Sequence, residues 1–298
     1  MAVVGVLNLD KPKGPTSAAV VGRLRRSSGV KRVGHGGTLD PLASGVLPIF
    51  FGRATVLADL LSRQGKSYLA TIRFGASSTT DDDEGELTPA EVPEGLDADA
   101  VRATLTGFAG SIQQRPPDFS AIKVAGERSY SRARTGQAVA LPPRPVVVDS
   151  VTLASWRPAA AGDVGPVAVV DVSCGPGFYV RSLARDLGEA VGTAAYLGSL
   201  VRTSVGPMRL EDAISLEDAE ARGREIATAL SPPSVALAGR TAVDVDKAGE
   251  EDLRHGRAVP APEAEAGDAY AVDAAGRVLA LGHVSCRRFR PRRLVELA

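Results

Sequence analysis

The sequence predicts an α+β protein in two parts, a mixed α/β domain over residues 1–232 and a small β-rich domain over 233–298. Three observations carry this. Stretches that alternate apolar and polar residues are interleaved with stretches of helical spacing up to about residue 191. Irregular segments rich in Gly and Pro interrupt them. Composition then shifts at Ser231-Pro232-Pro233, beyond which short strand-like pieces are separated by Gly and Pro turns. A chain of 298 residues can form one large domain, or a large one and a small one.

The elements follow in order. Residues 3–9 read as a short buried strand and Lys11-Pro12-Lys13-Gly14-Pro15 as a turn. Thr16 or Ser17 can cap a helix that carries Val20, Val21 and Leu24 and stops near Gly29. The next segment, residues 34–49, contains Gly34, Gly36, Gly37, Pro41, Gly45 and Pro48. That density of backbone breakers predicts an irregular loop rather than a helix or regular strand. Asp40 is its only carboxylate, flanked by apolar residues, as expected where one side chain must be held rigidly.

Residues 54–61 read as a short helix. Residues 67–74 alternate, with Tyr68, Ala70, Ile72 and Phe74 on one strand face. Residues 81–95 are acidic and turn-rich, hence a loop, and 97–105 are helical. Residues 113–145, rich in Pro, Arg, Ser and Gly around a helical patch at 130–135, read as an insertion. Strands are expected at 146–156 and 167–173, the second ended by Gly175-Pro176-Gly177. A helix at 179–190 follows, with Leu183, Leu187 and Val191 at spacing four. The last domain has strand-like pieces at 242–245, 269–272, 278–283 and 293–297.

Composition excludes several classes. Hydrophobic content of 44% and charged content of 23% are those of a soluble globular protein. The longest apolar run, residues 46–51, is far too short to cross a bilayer. The first ten residues lack a basic leader followed by a long apolar stretch, so a signal peptide is not expected. Cys174 and Cys286 lie far apart and are read as free thiols of a cytoplasmic protein. Net charge is zero, but charge is segregated. Lys11, Lys13, Arg23, Arg25, Arg26, Lys31 and Arg32 face a single acid, Asp10, before His35. Arg287, Arg288, Arg290, Arg292 and Arg293 cluster near the end, and acids gather at 81–84 and 211–225. Such a chain can present a basic face to phosphates.

The three histidines, His35, His255 and His283, are scattered, and no His or Cys pair has ligand spacing, so no metal or cofactor is expected. No Gly-Lys-Ser/Thr follows the glycine segment, so it is not a P-loop. Pro41, Gly45 and Pro48 cannot open the helix of a dinucleotide site. No nucleophile elbow supports a hydrolase. What remains is Asp40, Tyr68 on a strand, and Arg181 at a helix start. Taken singly these are a turn acid, a core tyrosine and a surface arginine. A cation in a helix's first turn is unfavourable by about 0.3–1 kcal/mol, so Arg181 calls for an anion, either a phosphate or a carboxylate such as Asp40.

Four ordered motifs resemble those of the TruB family, tRNA pseudouridine synthases acting on the T-loop uridine. They are Leu9-Asp10-Lys11-Pro12-Lys13-Gly14-Pro15-Thr16-Ser17, then Gly34 through Pro48, then Lys66-Ser67-Tyr68, then Gly177-Phe178-Tyr179-Val180-Arg181-Ser182-Leu183-Ala184-Arg185-Asp186-Leu187-Gly188. The likeness runs from about residue 5 to 207. Residues 233–298 resemble, more weakly, the small PUA-like RNA-binding domain that ends many family members.

The resemblance implies that Asp40 is the catalytic aspartate, with Tyr68 stacking on the target base and Arg181 pairing with the aspartate. It implies that His35 holds the everted RNA, and that Lys11, Tyr179 and Leu200 line or support the uridine pocket, with Gly37 and Asp82 as further substrate-side positions. Residues 119–134 match an insertion that closes on the T-loop. Lys13, Arg202, Arg287, Arg288 and Arg290 are the expected contacts to the RNA backbone. The family often has two arginines before Thr203, whereas here Val201 precedes Arg202. The implied partner is the T-arm and T-loop of tRNA, met by a monomer with no obligate protein partner and no membrane. A non-catalytic RNA-binding module and a subunit of a guide-RNA particle are the rival readings; the latter predicts long basic extensions, which are not seen.

Overall fold

The computed structural model describes residues 3–118, 123–124, 127–128 and 141–296, and packing groups the chain into two units. The first comprises residues up to 41, 45–64 and from 204 onward; the second comprises 42–44 and 65–203.

In the first unit the strand Gly5–Lys11 pairs antiparallel with Ala43–Phe51, from Gly5 opposite Phe51 to Lys11 opposite Gly45. Val33–His35 pairs with the end of the same strand. Residues 34–49 are therefore not one irregular loop, since regular strand occupies both ends. Pro48 is tolerated because its carbonyl accepts from Gly36 N–H (2.9 Å) just past the end of Val33–His35, so the missing N–H falls outside that ladder. The helix Ser17–Ser28 forms as its caps predict: the Thr16 hydroxyl accepts from Ala19 N–H, and Gly29 stops the helix at φ 71°.

The C-terminal residues form a second sheet in the order Thr241–Asp244, Gly267–Val272, Val278–Ser285, Arg288–Leu294, Val259–Pro260. A helix absent from the sequence reading, Lys247–Arg254, is capped by Asp246. Val278 and Val295 of this part share one core with Val6, Phe50, Leu57 and Leu61. Composition thus marks a change of sheet near residue 232, while packing joins residues from 204 onward to the N-terminal strands.

The second unit is built on strands in the order Ala195–Val205, Lys66–Phe74, Val167–Cys174, Arg144–Arg157, Gly110–Gln114. The first of these is absent from the sequence reading. Lys66–Phe74 alternates as expected, burying Tyr68, Ala70, Ile72 and Phe74. The helix Val180–Ala190 buries Leu183, Ala184 and Leu187. The expected acidic loop contains a short strand, Leu87–Pro89, paired with Ala76–Ser78. The expected insertion at 113–145 begins and ends inside strands, because Gln113 and Gln114 pair with Pro145 and Arg144. The helical patch at 130–135 lies outside the described residues, as does most of 119–134; within the latter the described pieces Lys123–Val124 and Glu127–Arg128 form a small antiparallel pair. No described helix is long and apolar enough to cross a membrane.

Candidate active site

The Asp40 loop is held through the main chain of its neighbours. The Ser17 hydroxyl, on the first residue of its helix and 2% exposed, does two things at once. It accepts from Leu39 N–H (2.9 Å) and donates to the Leu39 carbonyl (2.9 Å). On the other side of Asp40, the Pro41 carbonyl accepts from Gly14 N–H (2.8 Å). Asp40 is half-buried between these two ties. The turn and helix start at residues 11–17 are thus the cradle of the carboxylate, which explains why two motifs so far apart in sequence occur together.

The glycines of this loop have separate reasons. A side chain on Gly36 would come within 2.8 Å of the Phe50 ring, and Gly37 sits at φ 100°, where L side chains are strained. His35 lies on its strand opposite Ile49. Lys11 is fully buried, its ammonium donating to the Pro12 carbonyl (2.8 Å), while Lys13 is exposed.

In the second unit Tyr68 is 8% exposed and pairs with Val172 across the strands. Arg181 occupies the first turn of Val180–Ala190, and Asp82 is one anion beside it: guanidinium and carboxylate are 3.4 Å apart, and both side chains are buried. Arg181 also donates to the Thr80 carbonyl (3.3 Å). Asp82 accepts in turn from the Thr80 hydroxyl (2.5 Å) and from Glu84 N–H (3.1 Å). One turn along the helix, Arg185 donates to Asp81 (2.8 Å), to Asp186 (2.9 Å) and to the Arg115 carbonyl (2.8 Å). Burial pushes the Asp81 carboxyl above its ordinary value, against the pull of Arg185 and then Arg181.

Tyr179, just before this helix, is clamped by a residue that sequence reasoning missed. The Gln114 side chain accepts from Tyr179 N–H (2.8 Å) and donates to its carbonyl (3.0 Å). The Arg144 guanidinium stands over the Tyr179 ring at 5.2 Å, a cation–π contact. An amide side chain in a strand gives no sequence signal for such a clamp.

Leu200 is 8% exposed on Ala195–Val205. Arg202 corrects an expectation: at 1% exposure it is buried, because the strand's alternation turns Leu200, Arg202 and Ser204 to the packed side, so it offers no direct phosphate contact. Lys66, two residues before Tyr68, has its ammonium lowered to about 8, first by burial and then by the Arg202 charge. Arg287, Arg288 and Arg290 are exposed at the turn and edge joining the last two long strands. Cys174 and Cys286 are both free; burial pushes the Cys174 thiol up to about 12. Among the described residues no group of three or more His, Cys, Asp or Glu could hold a metal.

Asp40, Lys11, His35 and Gly37 thus belong to the first unit, and Tyr68, Asp82, Tyr179, Arg181 and Leu200 to the second. The first unit offers an acid on a tightly tied glycine loop; the second offers a buried aromatic and a cation held by a buried acid.

The comparisons with known proteins point the same way. Residues 25–180 match the model of the TruB family pseudouridylate synthase N-terminal domain, and residues 181–232 match that of the tRNA pseudouridylate synthase B C-terminal domain. The tRNA pseudouridine synthase B of Gluconobacter oxydans is 41% identical over 98% of this chain and 91% of its own length. That of Mycolicibacterium paratuberculosis is 44% identical over 94% of each chain. Among solved structures, one described as a Cbf5-Nop10-Gar1 complex superposes with a TM-score of 0.73 at 25% identity, covering 98% of this chain and 84% of that one. With the first family model alone covering more than half of its length, and relatives above 40% identity over nearly all of it, the chain belongs to the TruB family of pseudouridylate synthases.

Proposed function

We propose that the protein isomerises uridine to pseudouridine in the T-loop of tRNA, with Asp40 as the catalytic carboxylate. Family membership supports the reaction and the tRNA substrate. The observation that carries the residue assignment is the double tie of Leu39 and Pro41 to Ser17 and Gly14, which fixes the main chain on both sides of Asp40.

The reaction breaks the bond from N1 of the base to C1′ of the ribose and forms a bond from C5 to C1′. The C5 proton is lost and N1 gains one, so no electrons are gained or lost overall. A uridine in a folded loop must first be turned out of its stack to meet a side chain. The carboxylate then attacks C1′, removes the C2′ proton, or adds at C6; each route needs the ionised form. The detached base must rotate without escaping, which requires an aromatic platform in a closed pocket, the role given to Tyr68. Arg181 is the cation that the reading pairs with the catalytic carboxylate, and its side chain is held by Asp82 and the Thr80 carbonyl. Tyr179 and Leu200 shape the pocket, with Lys11, His35 and Gly37 supporting the RNA side.

Residues 233–298 act as a PUA-like RNA-binding domain, and Lys13, Arg287, Arg288 and Arg290 meet phosphates. The protein works as a monomer on tRNA, without a guide RNA or protein partner. The test is tritium release from C5-labelled tRNA transcript by the purified chain. Asp40→Asn should lower turnover by on the order of 10³-fold or more with tRNA binding retained. Turnover that persists in this variant removes Asp40 from the chemistry. Absence of turnover by the unaided wild-type chain removes the stand-alone reading.

A further inference from the structure

A second cleft lies wholly within the first unit and shares no lining residue with the Asp40 loop. It has a volume of about 280 Å³ and is walled by the helical stretch around Leu60 on one side and by the C-terminal sheet on the other. Four arginines line it, Arg63, Arg240, Arg292 and Arg293, against two acids, Asp59 and Asp268. The lining therefore carries two positive charges in excess.

The charges are organised around Asp268. Its carboxylate lies 3.3 Å from the Arg292 guanidinium, 4.0 Å from that of Arg240 and 3.4 Å from the His283 ring. One acid shared in this way orients two guanidinium groups without neutralising both. The remaining wall is apolar, with Leu60 and Leu281 prominent. An arginine rim over an apolar face is the chemistry that recognises a nucleoside phosphate. Guanidinium forks grip phosphate in bidentate fashion, and apolar or guanidinium planes accept a base. The volume of about 280 Å³ lies just below the usual range of ligand sites, about 300 to 1,000 Å³, so the cleft can take at most one nucleotide and not a duplex.

We propose that this cleft binds one unpaired nucleotide, its phosphate on Arg240 and Arg292 and its base against Leu60 and Leu281, in addition to the uridine handled by Asp40. The proposal rests on the RNA-modifying reading above. The nucleotide belongs either to a single-stranded part of the tRNA or to the free pool, and the experiment separates the two sources.

Full-length chain is compared with Arg240→Ser/Arg292→Ser and with Asp268→Asn. Three readouts are taken: affinity for unmodified tRNA across a salt series, turnover of an isolated T-arm hairpin, and AMP binding by equilibrium dialysis. With the RNA as source, the double variant loses about ten-fold in tRNA affinity, and its slope of log affinity against log salt flattens by about 1, for the one phosphate no longer neutralised. Turnover of the hairpin, whose unpaired nucleotides are those of the T-loop, stays at the wild-type level. Asp268→Asn moves tRNA affinity the other way. If the double variant keeps its tRNA affinity and loses AMP binding, the site stands with a free nucleotide as its ligand. Unchanged binding of both tRNA and AMP overturns it. A wild-type chain inactive on the hairpin counts against the RNA-modifying reading alone, since AMP dialysis still decides the cleft.

Discussion

The loop that carries Asp40 and the loop that carries Asp82 are both short and each presents an acid, yet the chain beside the acid is tied differently in the two. Around Asp40 the ties are to the main chain of Leu39 and Pro41, from Ser17 and Gly14. Around Asp82 the ties are the carboxylates themselves: Asp82 to Arg181, Asp81 to Arg185, reinforced by main-chain bonds of residues 81 and 83 to Leu197. A carboxylate that anchors a loop is committed to folding. A carboxylate whose neighbours do the anchoring can be positioned for chemistry. Chemical type does not separate these two acids; what grips the chain beside each of them does.

The sharpest way to break this comparison is to neutralise each acid in turn. Asp40→Asn should lower turnover by on the order of 10³-fold or more while shifting the thermal midpoint less than Asp82→Asn does. Asp82→Asn removes the buried negative charge 3.4 Å from the Arg181 guanidinium and should destabilise by roughly 3 kcal/mol in denaturant titration. Equal destabilisation by the two variants would erase the distinction. Ser17→Ala comes next: removing one buried hydroxyl that serves both groups of Leu39 should reduce stability by about 1–2 kcal/mol, and turnover should fall further than tRNA binding. Turnover equal to wild type would mean that the clamp does not position Asp40.

A smaller effect should appear in the pH dependence of stability. In the folded chain Lys66 loses its proton near pH 8, whereas an unfolded chain keeps it to about 10.5. Between those values the unfolded state binds more protons, so this group makes stability rise with pH. Lys66→Met should remove that part of the slope; identical slopes for variant and wild type between pH 8 and 10 would contradict the buried ammonium. Least of all, Arg287→Ser, Arg288→Ser and Arg290→Ser together should leave hairpin turnover intact. They should flatten the salt dependence of tRNA binding by about 1 for each phosphate no longer neutralised. An unaltered salt slope would remove these exposed arginines from the RNA surface.

Local signals in the sequence are reliable where the physics is local. The Thr16 cap, the Gly29 stop and the Tyr68–Phe74 alternation all appear as read, because capping and two-residue periodicity depend on neighbours in the chain. Glycine and proline mislead at residues 43–51, where partners on both sides impose a strand that propensity alone opposes. Ala195–Val205 escapes detection because its first four residues are all buried and its alternating second half turns the polar Arg202 and Ser204 to the packed side, so no apolar/polar alternation is left to read. The family resemblance assigns Arg202 to the RNA backbone, and only the packing of that strand reveals it as buried.

By itself, then, the sequence determined the family, the reaction class and many of the local elements, since motif identity and short-range periodicity are written residue by residue. Tertiary structure alone decided that Ser17 grips Leu39, that Gln114 clamps Tyr179, that Asp82 is the buried acid beside Arg181, and that four arginines share one cleft. These are pairings across tens to hundreds of residues. Chain closure must bring the partners together before a hydrogen bond or an ion pair can form, and no pattern in either partner's own neighbourhood records the meeting.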